Sequence, residues 1–198
     1  MSIEWLSRVN RGFLLRDALD LTGVRLAGLT GWPDARGRVE ACDATRARLH
    51  GGPSKPVGEA VLNRRIDPDL VQPAQPDALT EVVDVCFEVS DWEAAVLVSV
   101  SQFGLRTEDP ETGMFAWVTP WRTSASMVLG IAATLAFAEC GGGEVIDESG
   151  RLSESRLNPP TQLYEQLRAR TVQESPEAAV NAVLNRTRLR WGTSSRLN

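Results

Sequence analysis

Hydrophobic and polar positions are most legible between residues 80 and 149. In "EVVDVCFEV", residues 81–89, Val83, Val85, Phe87 and Val89 fall on every second position, the spacing that puts β-branched and aromatic side chains on one face of a strand. "SDWE" follows, and Ser90 with Glu93 three residues later has the form of a capping box that opens a helix. Trp92, Ala95, Val96, Ser99, Val100 and Phe103 then recur at three and four residues, one face of a helix that Gly104 would end.

"LRTEDPETGMFAWV" predicts two short strands around the turn "DPETG", with Pro110 and Gly113 as turn residues. Thr123 or Ser124 can cap a second helix, striped by Val128, Ile131, Ala132, Leu135 and Ala138 and ending at Gly141, Gly142 and Gly143. "GEVIDES" supplies one more strand. Strand, helix, two strands, helix, strand is the split βαβ order. The expected class is therefore α+β, with a ferredoxin-like antiparallel sheet over residues 80–149 and helices on one face.

Beyond this core, "NPPTQLYEQLRAR" and "SPEAAVNAVLNRTRLRW" predict C-terminal helices within residues 158–187, each begun by proline, with Leu163, Leu167, Ala179, Val180 and Val183 inward. Residues 66–79 hold three prolines and read as a connector. Residues 1–65 are the least determined: "GFLLRDALDLTGVRLAGLTGW" fits a strand and helix or two strands, and "GRVEACD" a short strand. We expect one domain over 1–198, of a size that buries a single substantial core.

Composition narrows the function classes. At 42% hydrophobic and 24% charged the chain resembles an ordinary globular domain. The net charge of −5 is unevenly spread: residues 1–65 carry eleven basic and seven acidic groups, residues 66–150 two and fifteen, and residues 151–198 eight and four. An acidic middle argues against nucleic-acid binding through that segment and suits a basic partner. The longest apolar run, 127–140, falls short of a bilayer span, and arginines interrupt the N-terminal apolar stretch, so neither membrane insertion nor a secretion signal is expected. Cys42, Cys86 and Cys140 are odd in number and far apart, which predicts buried free thiols in a reducing cytoplasm rather than disulfides or zinc. One lysine, Lys55, among 21 basic residues hints at a GC-rich bacterial gene.

Candidate chemistry is sparse. Three consecutive glycines suggest a phosphate cradle, but phosphate sites place glycines after a strand and before a helix. Here they follow a helix, where the dipole is negative and the orphan groups are carbonyls, so a left-handed cap turn is expected. His50, the single histidine, sits in "ARLHGGPS" without a nucleophile motif. Asp91 with Glu93, Asp147 with Glu148, and Glu108, Asp109 with Glu111 could serve acid–base or Mg²⁺ chemistry, yet each set lies where helix starts and turns favour acids anyway. No catalytic residue, metal or cofactor is assigned. Trp92 is expected in a core stripe. Trp117 and Trp121, beside the acidic turn, have the composition of a protein-binding hot spot, which makes Glu108, Asp109, Glu111, Trp117 and Trp121 the expected partner-binding residues.

The Ala-rich helix ending in "AFAECGGGEVIDESGRL", followed by "NPPTQLYEQL", with an acidic middle and no catalytic motif, resembles the cytoplasmic immunity proteins of bacterial polymorphic-toxin systems over roughly residues 80–170. The resemblance carries over no functional residue. It implies a non-enzymatic protein that binds and blocks a cognate toxin domain, and the acidic surface would suit a basic toxin. Two other classes stay open: a small-molecule sensor or enzyme on the sheet face, and a structural subunit of a bacterial assembly.

Overall fold

Residues 4–44, 55–71, 79–103, 113–187 and 189 are described by a computed structural model. Its strands and helices, in chain order, are β1 (Trp5–Val9), β2 (Phe13–Leu14), α1 (Leu15–Thr30), β3 (Glu40–Asp43), α2 (Glu59–Leu62), β4 (Arg65–Ile66), β5 (Leu79–Val89), β6 (Ala94–Phe103), β7 (Gly113–Pro120), α3 (Ser124–Cys140), β8 (Val145–Ile146), β9 (Leu157–Asn158), α4 (Pro160–Leu167) and α5 (Pro176–Leu184). Seven strands form one sheet in the order β3-β5-β6-β7-β1-β8-β9, every neighbouring pair antiparallel, while β2 and β4 pair separately.

Alternation along the strands sorts the sheet into two faces. Register aligns Trp5 with Val118, Val118 with Val98 and Val98 with Val85, and beside them Phe87, Val96, Val100, Ala116 and Val9 complete one buried face. Helix α3 lies on it. Phe137 meets Phe87 at 6.0 Å between ring centroids and Phe13 edge-on at 5.8 Å, and the Ser7 hydroxyl donates to the Thr134 carbonyl at 2.7 Å. Gly130 makes this approach possible: a Cβ there would stand 2.9 Å from the Trp5 ring. Helices α1, α4 and α5 pack against α3 in turn, so α3 is apolar on all sides and buried from Ser126 through Ala138.

The ends of α3 follow local chemistry. Thr123 Oγ1 accepts from the Ser126 N–H at 3.1 Å, a side-chain N-cap. At the other end Gly142 takes φ 62°, as the cap-turn reading expects, and the Arg11 guanidinium donates to the carbonyls of Glu139 and Cys140. These glycines hold a helix terminus against β1, with the N–H groups of Gly141, Gly142 and Gly143 donating to the carbonyls of Phe137, Glu139 and Ala138; a Cβ on Gly143 would meet the Arg8 carbonyl at 2.0 Å.

The α+β class, an antiparallel sheet with helices packed on it, agrees with expectation. The split βαβ order does not occur, because the helix expected after "SDWE" is strand β6. Ser90–Trp92 is a single 3-10 turn, the Glu93 N–H returns to the Ser90 carbonyl at 3.1 Å, and Glu93 at φ 49° reverses the chain into a hairpin. Val96, Val98 and Val100 also alternate, and β-branched side chains with a paired neighbour on both sides favour the strand. Trp92 therefore sits in the turn, half-buried against the core, rather than on a helix stripe.

β7 confirms the strand expected in "GMFAWV", but the "LRTE" strand and the "DPETG" turn before Gly113 lie outside the described residues. Residues 1–65 contribute more than was legible: β1 is a central strand between β7 and β8, "GRVEACD" yields β3, and residues 15–30 are a helix. The C-terminal helices begin at Pro160 and Pro176 with the expected residues inward. Among the described residues no helix is long and apolar enough to cross a membrane.

Candidate partner-binding face

The second face of the sheet is built from the residues that alternate with the core. Register places Ile146, Leu6, Trp117, Ser99 and Asp84 in one row across β8, β1, β7, β6 and β5, and Arg8, Phe115, Ser101 and Glu81 in the next. Among the described residues the four longer helices gather on the α3 side, which leaves these rows uncovered by them. Leu6, Phe103, Phe115, Trp117 and Ile146 enclose a groove of about 260 Å³ that ends at Glu148 and Arg156, an ion pair at 2.6 Å. Phe103 is 38% exposed, Trp117 is half-buried, and the Arg8 guanidinium lies 5.5 Å from the Phe115 ring centre.

Toward β5 and β3 the same face turns acidic. Glu40 pairs directly with Glu88 across the strands, Asp84 accepts from the Ser99 hydroxyl at 2.5 Å, and Glu81 is exposed beyond the Val82 bulge. Like charges directly opposite each other destabilise a sheet slightly, so local stability does not explain the Glu40–Glu88 pair. Between them Cys42 faces Cys86, both buried and neither in a disulfide. Burial pushes the Cys86 thiol well up, with the Glu88 carboxylate 3.5 Å away adding to the shift. Such a thiol is inert at neutral pH.

The expected anchors separate. Trp117 lies in the groove. Trp121, one residue past β7 and 39% exposed, is fixed by its N–H to the Ala95 carbonyl at 3.1 Å and does not line the groove. Glu108, Asp109 and Glu111, like His50, lie outside the described residues. Leu6, Phe103, Phe115 and Ile146 were not anticipated as site residues. For Leu6 and Phe115 the signal was present as the off-phase positions of "WLSRV" and "MFAWV", but only strand register shows that Leu6 meets Trp117 and Ile146.

The other carboxylate sets have structural partners. Asp147 is buried, accepting from the N–H groups of Leu152 at 2.6 Å and Ser153 at 3.3 Å and from the Ser149 hydroxyl at 2.7 Å, so its carboxylate organises the loop before β9. Asp91 pairs with Arg38. A second cleft of about 410 Å³, where the β5–β6 turn meets the starts of α3 and α5, is lined by Asp91, Trp92, Glu93 and Glu177. Among the described residues no three His, Cys, Asp or Glu side chains are grouped to hold a metal ion. Comparison with protein-family models, curated proteins and solved structures finds no match to this chain.

Proposed function

We propose that this chain is a non-enzymatic protein-binding module, an immunity-type inhibitor acting in a bacterial cytoplasm, and that it binds its toxin-domain partner through the open face of the sheet. One observation carries the reading: a groove of aromatic and aliphatic side chains, with Phe103 exposed and Leu6 and Trp117 half-buried at its edge, lies on a sheet face whose remaining charge among the described residues is mainly acidic. Apolar anchors in a concavity with a polar surround are the composition of an interface hot spot. That Cys42, Cys86 and Cys140 form no disulfide suits a reducing compartment.

The test is capture of the tagged protein's partner from its own cells, in parallel with the Trp117→Ala variant, followed by assay of the captured protein. A stoichiometric basic partner whose activity is blocked by the wild-type chain, and which Trp117→Ala releases, supports the proposal. Equal capture by both chains, or a partner whose activity is unaffected, rejects it.

A small-molecule reading draws on a different feature, the Glu148–Arg156 ion pair at the groove's end, since ligand pockets combine apolar walls with a few polar groups. It predicts that a metabolite raises the melting temperature of the wild type and leaves Trp117→Ala unmoved.

A further inference from the structure

Cys42 on β3 and Cys86 on β5 stand directly opposite in the register and, with Ala95 of β6, form a small buried cluster apart from the main core. The backbone sets their spacing. The Asp43 N–H donates to the Lys55 carbonyl at 2.9 Å and the Val57 N–H to the Ala41 carbonyl at 3.0 Å. Backbone groups alternate sides along a strand, so those of Cys42 turn the other way, toward Cys86. The two cysteines are thus a hydrogen-bonded pair with Cα atoms about 5.5 Å apart, a separation that a disulfide spans. Opposed Cβ atoms stand about 5 Å apart and a disulfide needs about 3.8 Å, so closing the bond draws the strands together. A bond closed under strain is easier to reduce.

The surroundings suit a strand that opens rarely and can be pinned. β3 has four residues and is the last strand on its side of the sheet, followed among the described residues by a single bridge to Pro56. Two residues from the cysteines Glu40 opposes Glu88, a like-charge pair that weakens this margin slightly. The Glu88 carboxylate, which accepts from the Cys86 thiol at 3.5 Å, is placed to take its proton.

Going beyond the inhibitor reading, we infer that Cys42 and Cys86 are a reversible redox switch: hydrogen peroxide joins them in a cross-strand disulfide that locks β3 onto β5, and a low-molecular-weight thiol reopens it. When β3 parts briefly from β5, the Cys42 sulfur, having lost its proton, attacks one peroxide oxygen; the O–O bond breaks, and the other oxygen leaves as hydroxide and takes up that proton. The Cys86 sulfur then attacks the Cys42 sulfenic acid as Glu88 receives its proton. The S–S bond forms, the S–O bond breaks, and the departing hydroxide collects the proton from Glu88. Two thiols and one peroxide become one disulfide and two waters. Cys86 meets no external reagent; its one native reaction is with the sulfur beside it. Two thiol–disulfide exchanges reverse the lock and leave the reductant as its own disulfide.

The test uses the folded Cys140→Ala chain, in which this pair holds the remaining cysteines. It is treated with hydrogen peroxide at neutral pH, alkylated and mapped by mass spectrometry. The expected product is a monomer lighter by two hydrogens, with Cys42 linked to Cys86, amide exchange in residues 40–43 slowed about threefold or more, and both thiols restored by reduced glutathione. Adding Cys86→Ala removes the second sulfur and should leave oxygen on Cys42 instead; if that variant does not fold, mapping of the parent chain decides alone. Thiols that stay reduced, oxygen added to Cys42 of the parent without the link, a link that forms only in urea, or one that glutathione does not reduce overturns the inference. Unchanged exchange in residues 40–43 of the linked chain overturns it too, since the disulfide would then lock nothing.

Discussion

Leu6 on β1 stands directly across from Trp117 on β7, while their neighbours Trp5 and Val118 pair on the opposite face. The same two strands thus supply the wall of the open groove and the floor of the core. Because side chains alternate with period two, a slip of one residue would exchange the two sets. Packing of Trp5 under Gly130 of α3 therefore fixes where Trp117 points. A groove held by core register is pre-organised, so the proposed partner would spend no affinity on ordering it.

This division predicts opposite outcomes for two tryptophans. Trp5→Ala removes a fully buried side chain and should cost about 3–5 kcal/mol, enough to unfold a marginal domain. Trp117→Ala removes a half-buried ring from the open face and should cost about 1 kcal/mol while abolishing partner capture. Urea denaturation of both variants checks this. A Trp117→Ala loss as large as that of Trp5→Ala would make the ring a core residue.

Local pattern was a good guide wherever one reading dominated. The β5 alternation, the Thr123 cap of α3 and the proline starts of α4 and α5 all appear as read. It failed at residues 94–103, where Trp92, Ala95, Val96, Ser99 and Val100 satisfy a helical period as well as Val96, Val98 and Val100 satisfy a strand. What decides there is pairing with β5 and β7, which is not local. The groove was half legible for the same reason: Trp117 could be picked out by type, but its neighbours Leu6 and Ile146 come from strands 111 residues before it and 29 after, joined only by register.

Gly23 lies within α1, where alanine would ordinarily stabilise by about 1 kcal/mol through helix propensity. Here a Cβ would stand 2.2 Å from the Arg36 backbone carbonyl, which cannot rotate aside. The clash should win, and Gly23→Ala should destabilise by about 1–3 kcal/mol. Gly58→Ala, where nothing lies within 4 Å of the added methyl, is the control and should change stability little. Thermal melts of the pair decide the sign.

Arg25 joins three helices: its guanidinium pairs with Glu139 of α3 and lies 4.2 Å from the Tyr164 ring centre of α4. With side chains 15% and 31% exposed, the pair is only partly screened by water. Arg25→Ala loses the ion pair, the ring contact and buried stem packing together and should cost about 2 kcal/mol. Arg25→Met keeps the stem and should recover about half. Equal losses in the two variants, measured by urea titration, would mean that packing contributes nothing.

The thiols predict the alkaline limb of stability. Burial pushes Cys140 up to about 11, with the carboxylates of Asp17 and Glu139 contributing, and raises Cys86 further. In the unfolded chain a thiol titrates near about 8.5. Between that value and the folded one the native state holds a proton that the unfolded state has released, so stability present below about pH 8.5 is lost as pH rises toward 11. Cys140→Ala should flatten the fall in melting temperature across this window relative to wild type. The same protonation makes Cys140 slow to react with a disulfide reagent at pH 8, and Cys86 should react only after unfolding, because it is both protonated and fully buried. Rapid native-state labelling of Cys86 would show that the β3–β5 edge opens readily, which the paired register of Cys42 and Cys86 argues against.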